Sequence, residues 1–284
     1  MSFLILVLLS GCFAQSNLSF SIKVGKEPSE LMIKKNPWGY SGPNAIRAYD
    51  NDIYILDQEN FKINVYTMQG QYKNSYNCQN DTAYSDIDID SQGNIMLLTN
   101  KGIYKILKNG EMLKSYDIPE IMKNPQFFSI SESGNIAING TSKDGREKSG
   151  IINTNGNFTE LKGYRIFISE YGLIGLQVSE TSVNLIEDGK VIDHININVK
   201  PYMIPIGIAN DKSIYCTVSS ENQGYILLYK INKKGIVAVK EVRLKSLISS
   251  EDIGLITSIR VNKNGEIILL EGNKENCRVT IVKI

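Results

Sequence analysis

Three aspartates, Asp86, Asp88 and Asp90, alternate in the stretch SDIDID. Side chains two apart in a strand share one face, so such a row of hard oxygen donors could coordinate a cation. The competing account is a strand whose Ile87 and Ile89 face a neighbouring sheet while the acids meet water. The equivalent strands elsewhere favour that account, because they carry Arg47 and Arg260 where further acids would be needed. These three aspartates are therefore only weak metal candidates, and no metal or other cofactor is assigned. His194 is the single histidine and falls in an outer strand, which excludes any mechanism built on two histidines. Asp57 stands at a strand end, where a carboxylate accepts backbone N–H bonds and caps a turn. A Gly-rich phosphate loop, a nucleophile elbow and a zinc spacing are all missing, so no catalytic set is assigned.

Binding has better candidates than catalysis. Loops joining second to third strands, and one repeat to the next, should open on a common face. There the expected ligand-binding residues are Gln58, Asn60, Phe61, Asn100, Arg146, Asn222 and Asn273, with Trp38 and Tyr40 in the loop that leads into the first repeat. Mixed polar groups with a few aromatics suit a protein, peptide or glycan held by hydrogen bonds and stacking. A formal net charge of +1 removes the general electrostatic case for nucleic acid.

The elements that must position these residues are strands. Nearly every segment alternates with period two, is rich in Ile, Val and Tyr, and ends in Asn-Gly, Asp-Gly or similar turns. Second strands starting at Ile53, Ile95, Ile136, Leu173, Ile214 and Ile267 recur at intervals of 37 to 53 residues. Such spacing is that of four-stranded propeller blades. The expected fold is all-β, a six-bladed β-propeller, with blades over 42–78, 84–119, 126–163, 164–198, 204–244 and 256–284. The chain ends after the third strand of the last unit, and Leu18 to Val24 would supply its missing outer strand. Leu244 to Ile256 is the one plausible short helix. One domain is expected over 18–284.

Ahead of it, Phe3 to Leu9 is an unbroken apolar run followed by Ser10, Gly11 and Cys12. The run is too short to span a bilayer and suits the core of a signal peptide, so 1–11 reads as that segment and 12–17 as a linker. LSGC resembles the bacterial lipobox, which implies acylation of Cys12, membrane contact through the lipid alone, and a place in the bacterial cell envelope. Ordinary cleavage after Ala14 and a buried N-terminal strand are the alternatives. The other cysteines, Cys78, Cys216 and Cys277, are expected as free, half-buried thiols.

The first unit also carries a resemblance. Gly42, Pro43, Ile53, Tyr54, Leu56, Asp57, Asn60, Lys62, Ile63, Tyr66 and Gly70 match the pattern of NHL-type repeats, which build six-bladed propellers in exported bacterial proteins. Lys62 stands where Arg is more usual, and only about thirty residues carry the motif. The resemblance implies a fold and a habit of binding on one propeller face. The expected function is thus a non-enzymatic envelope lipoprotein that binds a protein, peptide or glycan. The alternatives are a metal-dependent hydrolase, lactonase or lyase of the propeller type, and a structural subunit of an envelope complex.

Overall fold

In the computed structural model the described residues are 17–36, 39–79, 83–107, 110–161, 165–169, 172–178, 182–187, 190–196, 204–220, 225–232, 234–243, 255–273 and 275–284. Strand β1 (Leu18–Lys23) comes first, followed by a small hairpin of β2 (Lys34–Asn36) and β3 (Gly39–Ser41). The first four-stranded sheet is β4 (Ala45–Tyr49), β5 (Asp52–Asp57), β6 (Lys62–Thr67) and β7 (Tyr72–Asn77). The second is β8 (Tyr84–Ile89), β9 (Ile95–Thr99), β10 (Gly102–Ile106) and β11 (Met112–Asp117). The third holds β12 (Asn124–Ile130), β13 (Ile136–Thr141), β14 (Glu147–Ile152) and β15 (Phe158–Glu160). The fourth is β16 (Arg165–Ser169), β17 (Gly172–Val178), β18 (Ser182–Glu187) and β19 (Lys190–Asn196). The fifth is β20 (Ile204–Ile208), β21 (Ile214–Ser220), β22 (Tyr225–Asn232) and β23 (Gly235–Arg243). The last combines β24 (Leu255–Val261), β25 (Glu266–Gly272) and β26 (Asn276–Lys283) with β1.

All these pairings are antiparallel, and the architecture is a β-propeller of four-stranded blades. Six four-stranded sheets are formed among the described residues. For the sheet β16 to β19 the description is mainly of backbone and register. Innermost strands touch in series, β4 on β8, β8 on β12, β12 on β16, β16 on β20, β20 on β24, and β24 back on β4. Strand β1 pairs with β26 from Leu18 opposite Ile281 to Lys23 opposite Asn276, so the first strand of the chain completes the last sheet.

Each central sheet is covered on both faces, which is why a strand such as β9, IMLLT, is apolar at almost every position. Its Ile95 and Leu97 pack with Leu56 and Ile63 of the first sheet, while Met96 and Leu98 pack with Phe128, Ile136 and Ile138 of the third. The same division places Cys78, Cys216 and Cys277 in buried positions, all as free thiols. The half-buried expectation is corrected here: a side chain between two sheets keeps little or no exposed face. Leu255 and Ile256 belong to strand β24 rather than to a helix, and 244–254 lie outside the described residues.

Between β1 and β4 the chain crosses the first sheet as a strap. Leu31 is buried in the core formed by the first and last sheets. The sheet's own polar side chains hold the strap's backbone. Asn60 Nδ2 donates to the Gly25 carbonyl at 3.1 Å, Lys62 Nζ to Glu27 at 2.9 Å, Asn64 Nδ2 to Glu30 at 2.9 Å, and the Tyr66 hydroxyl to Ser29 at 3.0 Å. In return the Met32 N–H donates to Asp57 Oδ2 at 3.0 Å. No helix among the described residues is long and apolar enough to cross a membrane.

Candidate functional site at the channel mouth

In a meander of antiparallel strands, turns between first and second strands lie at the opposite end from loops between second and third. A cavity of about 540 Å³ opens at the first-to-second end. Its rim is formed by the turns that carry Asp50, Ser91, Glu132, Asn210 and Lys263, and its walls by inner-strand residues including Phe127, Ile130, Ile204 and Ile206. The volume lies within the range of small-molecule sites.

At its floor four charged side chains from three sheets converge. Asp86, on β8, has a wholly buried side chain; its Oδ2 sits 2.7 Å from Arg47 Nη2 of β4, and its Oδ1 3.3 Å from Arg260 Nη2 of β24. The Phe128 N–H donates to Asp86 Oδ2 at 3.1 Å. Asp88 Oδ1 lies 3.3 Å from Arg47 Nε and accepts from the Ile89 N–H at 3.0 Å, while Oδ2 accepts from the Ile130 N–H at 2.9 Å. Each guanidinium also donates from Nη1 to the carbonyl of the residue before it, Arg47 to Ile46 and Arg260 to Ile259. The Arg260 guanidinium stands 6.0 Å from the centre of the Phe127 ring.

The electrostatics of the two arginines differ. Burial works against the charge of Arg47, but Asp86 and Asp88 together overcome it and raise its pKa. Arg260 is lowered, chiefly by burial and also by Arg47, with Asp86 and to a smaller extent Asp88 only partly opposing. Burial pushes the Asp88 carboxyl above its ordinary value, against the pull of Arg47 and the Ile130 N–H.

The three alternating aspartates therefore divide their work. Asp86 and Asp88 are engaged by guanidinium and backbone donors, after a register shift between Tyr84 and Asp86. Asp90 closes the β8–β9 turn: its Oδ1 accepts from the backbone N–H groups of Gln92 and Asn94 at 3.0 and 2.8 Å, and Lys105 lies 3.0 Å from Oδ2. Burial opposes its ionisation, yet Asn94 and Lys105 hold its carboxyl below the ordinary value. Gly93 must follow in this turn with φ near 78°, a conformation that costs glycine little. Among the described residues no group of three or more His, Cys, Asp and Glu is placed to hold a metal ion. A floor whose carboxylates already face two guanidiniums does not fit a divalent cation.

The loop residues expected to bind a partner are at the other end of the sheets and are largely occupied with local structure. Gln58 Oε1 accepts from Asn44 Nδ2 at 3.1 Å, and Asn60 clasps both Asp57 and the strap. Phe61 has a positive φ of 51° and packs on the core between first and second sheets. Asn100 is an exposed turn residue. Arg146 pairs with Asp144 at 3.1 Å on the surface, and Asn273 caps its turn by accepting from the N–H groups of Glu275 and Asn276. Tyr40 is half-buried in the β2–β3 hairpin, opposite Lys35. Trp38, Asn222 and Cys12 lie outside the described residues. Asp57 does cap its turn, with the Asn60 N–H at 3.3 Å, and ties down the strap as well. His194 is exposed on the outer strand β19, between Asn184 and Asn196.

The charged floor was signalled by the inner strands themselves, where Arg47 and Arg260 occupy positions that face Asp86 across the channel. It could be read only by comparing equivalent positions in different repeats, since the pairs are 39 and 174 residues apart in sequence.

No protein-family profile matches the chain, and no curated protein matches it. Solved structures do. Virginiamycin B lyase from Staphylococcus aureus is 15% identical with a TM-score of 0.55, covering 94% of this chain and 100% of that one. A luciferin-regenerating enzyme is 11% identical with a TM-score of 0.59, covering 94% and 96%. Regucalcin, a calcium-binding protein from Agrobacterium tumefaciens, is 9% identical with a TM-score of 0.56, covering 92% and 95%. At these identities the likeness is one of fold: the chain shares the propeller of these proteins.

Proposed function

We propose that the protein binds a small molecule in the channel mouth and transforms it there, as a hydrolase or lyase acting at a carbonyl group. The observation that carries this reading is the convergence of Arg47, Asp88 and Arg260 on the floor of the 540 Å³ cavity. Fixed guanidinium donors can stabilise negative charge that develops on a ligand oxygen. A carboxyl whose pKa is raised by burial is suited to accept and return a proton. The fold-level likeness to propeller enzymes agrees with this reading, whereas the loop residues at the other end spend many of their polar groups on their own turns and the strap. Metal assistance is not part of the proposal.

The test is turnover of a panel of lactones, linear esters and cyclic depsipeptides by the wild type and by Asp88→Asn. The expected result is activity on at least one class, falling on the order of a hundredfold in Asp88→Asn, in the range seen for loss of a general base. Activity unchanged in that variant removes Asp88 from the chemistry. Turnover of nothing on the panel returns the protein to the non-enzymatic reading. The NHL-type affinity, the acyl anchor at Cys12 and the envelope location belong to the same proposal and rest on sequence alone. Fatty-acid labelling of wild type against Cys12→Ala tests the anchor, and equal labelling refutes it.

A further inference from the structure

The arginines at the floor are not equally neutralised. Arg47 takes the shorter contact with Asp86, at 2.7 Å, and also has Asp88 at 3.3 Å. Among the described residues Arg260 has one acid contact, the longer one with Asp86 at 3.3 Å, although its side chain is 27% exposed against 12% for Arg47. So the more accessible cation is the less compensated one. Its guanidinium has five N–H donors, of which Nη1 is used on the Ile259 carbonyl and Nη2 on Asp86. Beside it stands the Phe127 ring, and the apolar side chains of Ile204 and Ile206 line the same cavity.

We infer that Arg260 recognises a small carboxylate whose apolar, preferably aromatic, body lies against Phe127 and Ile204. This rests on the channel mouth being a small-molecule site, and it names the ligand class that site would take. A planar guanidinium matches a carboxylate through two parallel hydrogen bonds, and a buried contact of this kind discriminates strongly against a neutral ligand that leaves it unpaired. Asp86 cannot satisfy Arg260 fully, because its second oxygen is shared between Arg47 and the Phe128 N–H. A ligand carboxylate would add the missing negative charge where burial and Arg47 both oppose the positive one.

The experiment uses 3-phenylpropanoate and its amide, of equal shape and different charge, titrated into the whole protein by calorimetry. Arg260→Gln, Arg260→Lys, Phe127→Ala and Ile204→Trp are compared with wild type, each checked for folding by circular dichroism. The acid should bind at least tenfold more tightly than the amide. Arg260→Gln should erase that preference and Arg260→Lys keep part of it. Phe127→Ala should weaken acid and amide alike, and Ile204→Trp should exclude both. If acid and amide bind equally and Ile204→Trp still excludes them, the carboxylate inference fails while the site survives. If neither binds, or Ile204→Trp changes nothing, both the inference and the site fall.

Discussion

The strap-covered side of the first sheet and the floor of the channel mouth are built from similar residue types and do different things. Under the strap, Asn60, Lys62, Asn64 and Tyr66 each donate to a backbone carbonyl of 25–30, so these donors are consumed by folding, although Asn64 Oδ1 stays buried with no hydrogen-bond partner among the described residues. At the channel floor, Asp86 and Asp88 satisfy Arg47 and leave Arg260 partly uncompensated beside open volume. A buried donor paired in this way contributes rigidity. One that is paired incompletely, next to a cavity, holds interaction energy in reserve for a ligand. The comparison teaches that polar side chains near a loop are poor markers of a site until their partners are known.

The sharpest way to break the comparison is to remove the acid on which the floor depends. Asp86→Ala takes away a wholly buried carboxylate that faces Arg47, Arg260 and the Phe128 N–H. Breaking a buried ion pair by deleting one partner leaves an uncompensated charge, with a typical cost of about 3–5 kcal/mol. Urea denaturation should show a loss of that order. A loss below about 1 kcal/mol would place the cluster in the class of weakly coupled surface pairs, and the floor would then hold no electrostatic reserve.

Much of the architecture was legible along the chain because its determinants are local. Strand alternation, Asn-Gly and Asp-Gly turns and the regular recurrence of Ile53, Ile95, Ile136 and Ile214 place the sheets, and β1 announces itself as an alternating strand without a hairpin partner. The candidate site was not legible in the same way. Its first-to-second turns are tight, as at Asp50 and Asn51, and attract less notice than the longer loop from Gln58 to Phe61. Arg47 and Arg260 were visible as exceptions to a row of acids, but their meaning depends on meeting Asp86 across the channel. The strap was hidden for a related reason: nothing in 24–36 says that its carbonyls will satisfy side chains of β6. Even Asp57, read correctly as a turn cap, gave no sign of its bond to the Met32 N–H.

That bond gives the smaller and more selective prediction, one that treats the two regions separately. Burial pushes the Asp57 carboxyl up to about 6 from its ordinary 3.8, against the opposing N–H groups of Met32 and Asn60. A folded-state pKa above the unfolded one means that the folded protein binds the proton more tightly. Stability from this group is therefore fully present below about pH 4 and lost as pH rises through about 6. Between pH 7 and pH 5 the wild type should gain roughly 1 kcal/mol from this carboxyl, and Asp57→Asn should lack that gain. Denaturant midpoints measured at both pH values for both proteins isolate the term, since other titrating groups cancel in the difference. Equal pH dependence would mean that Asp57 does not link the strap to protonation. Because Asp57 lies at the opposite end of its sheet from the channel mouth, the substitution should leave acid binding at Arg260 unchanged. A change there would show that the strap and the floor are mechanically coupled through the first sheet, and the two regions would have to be treated as one.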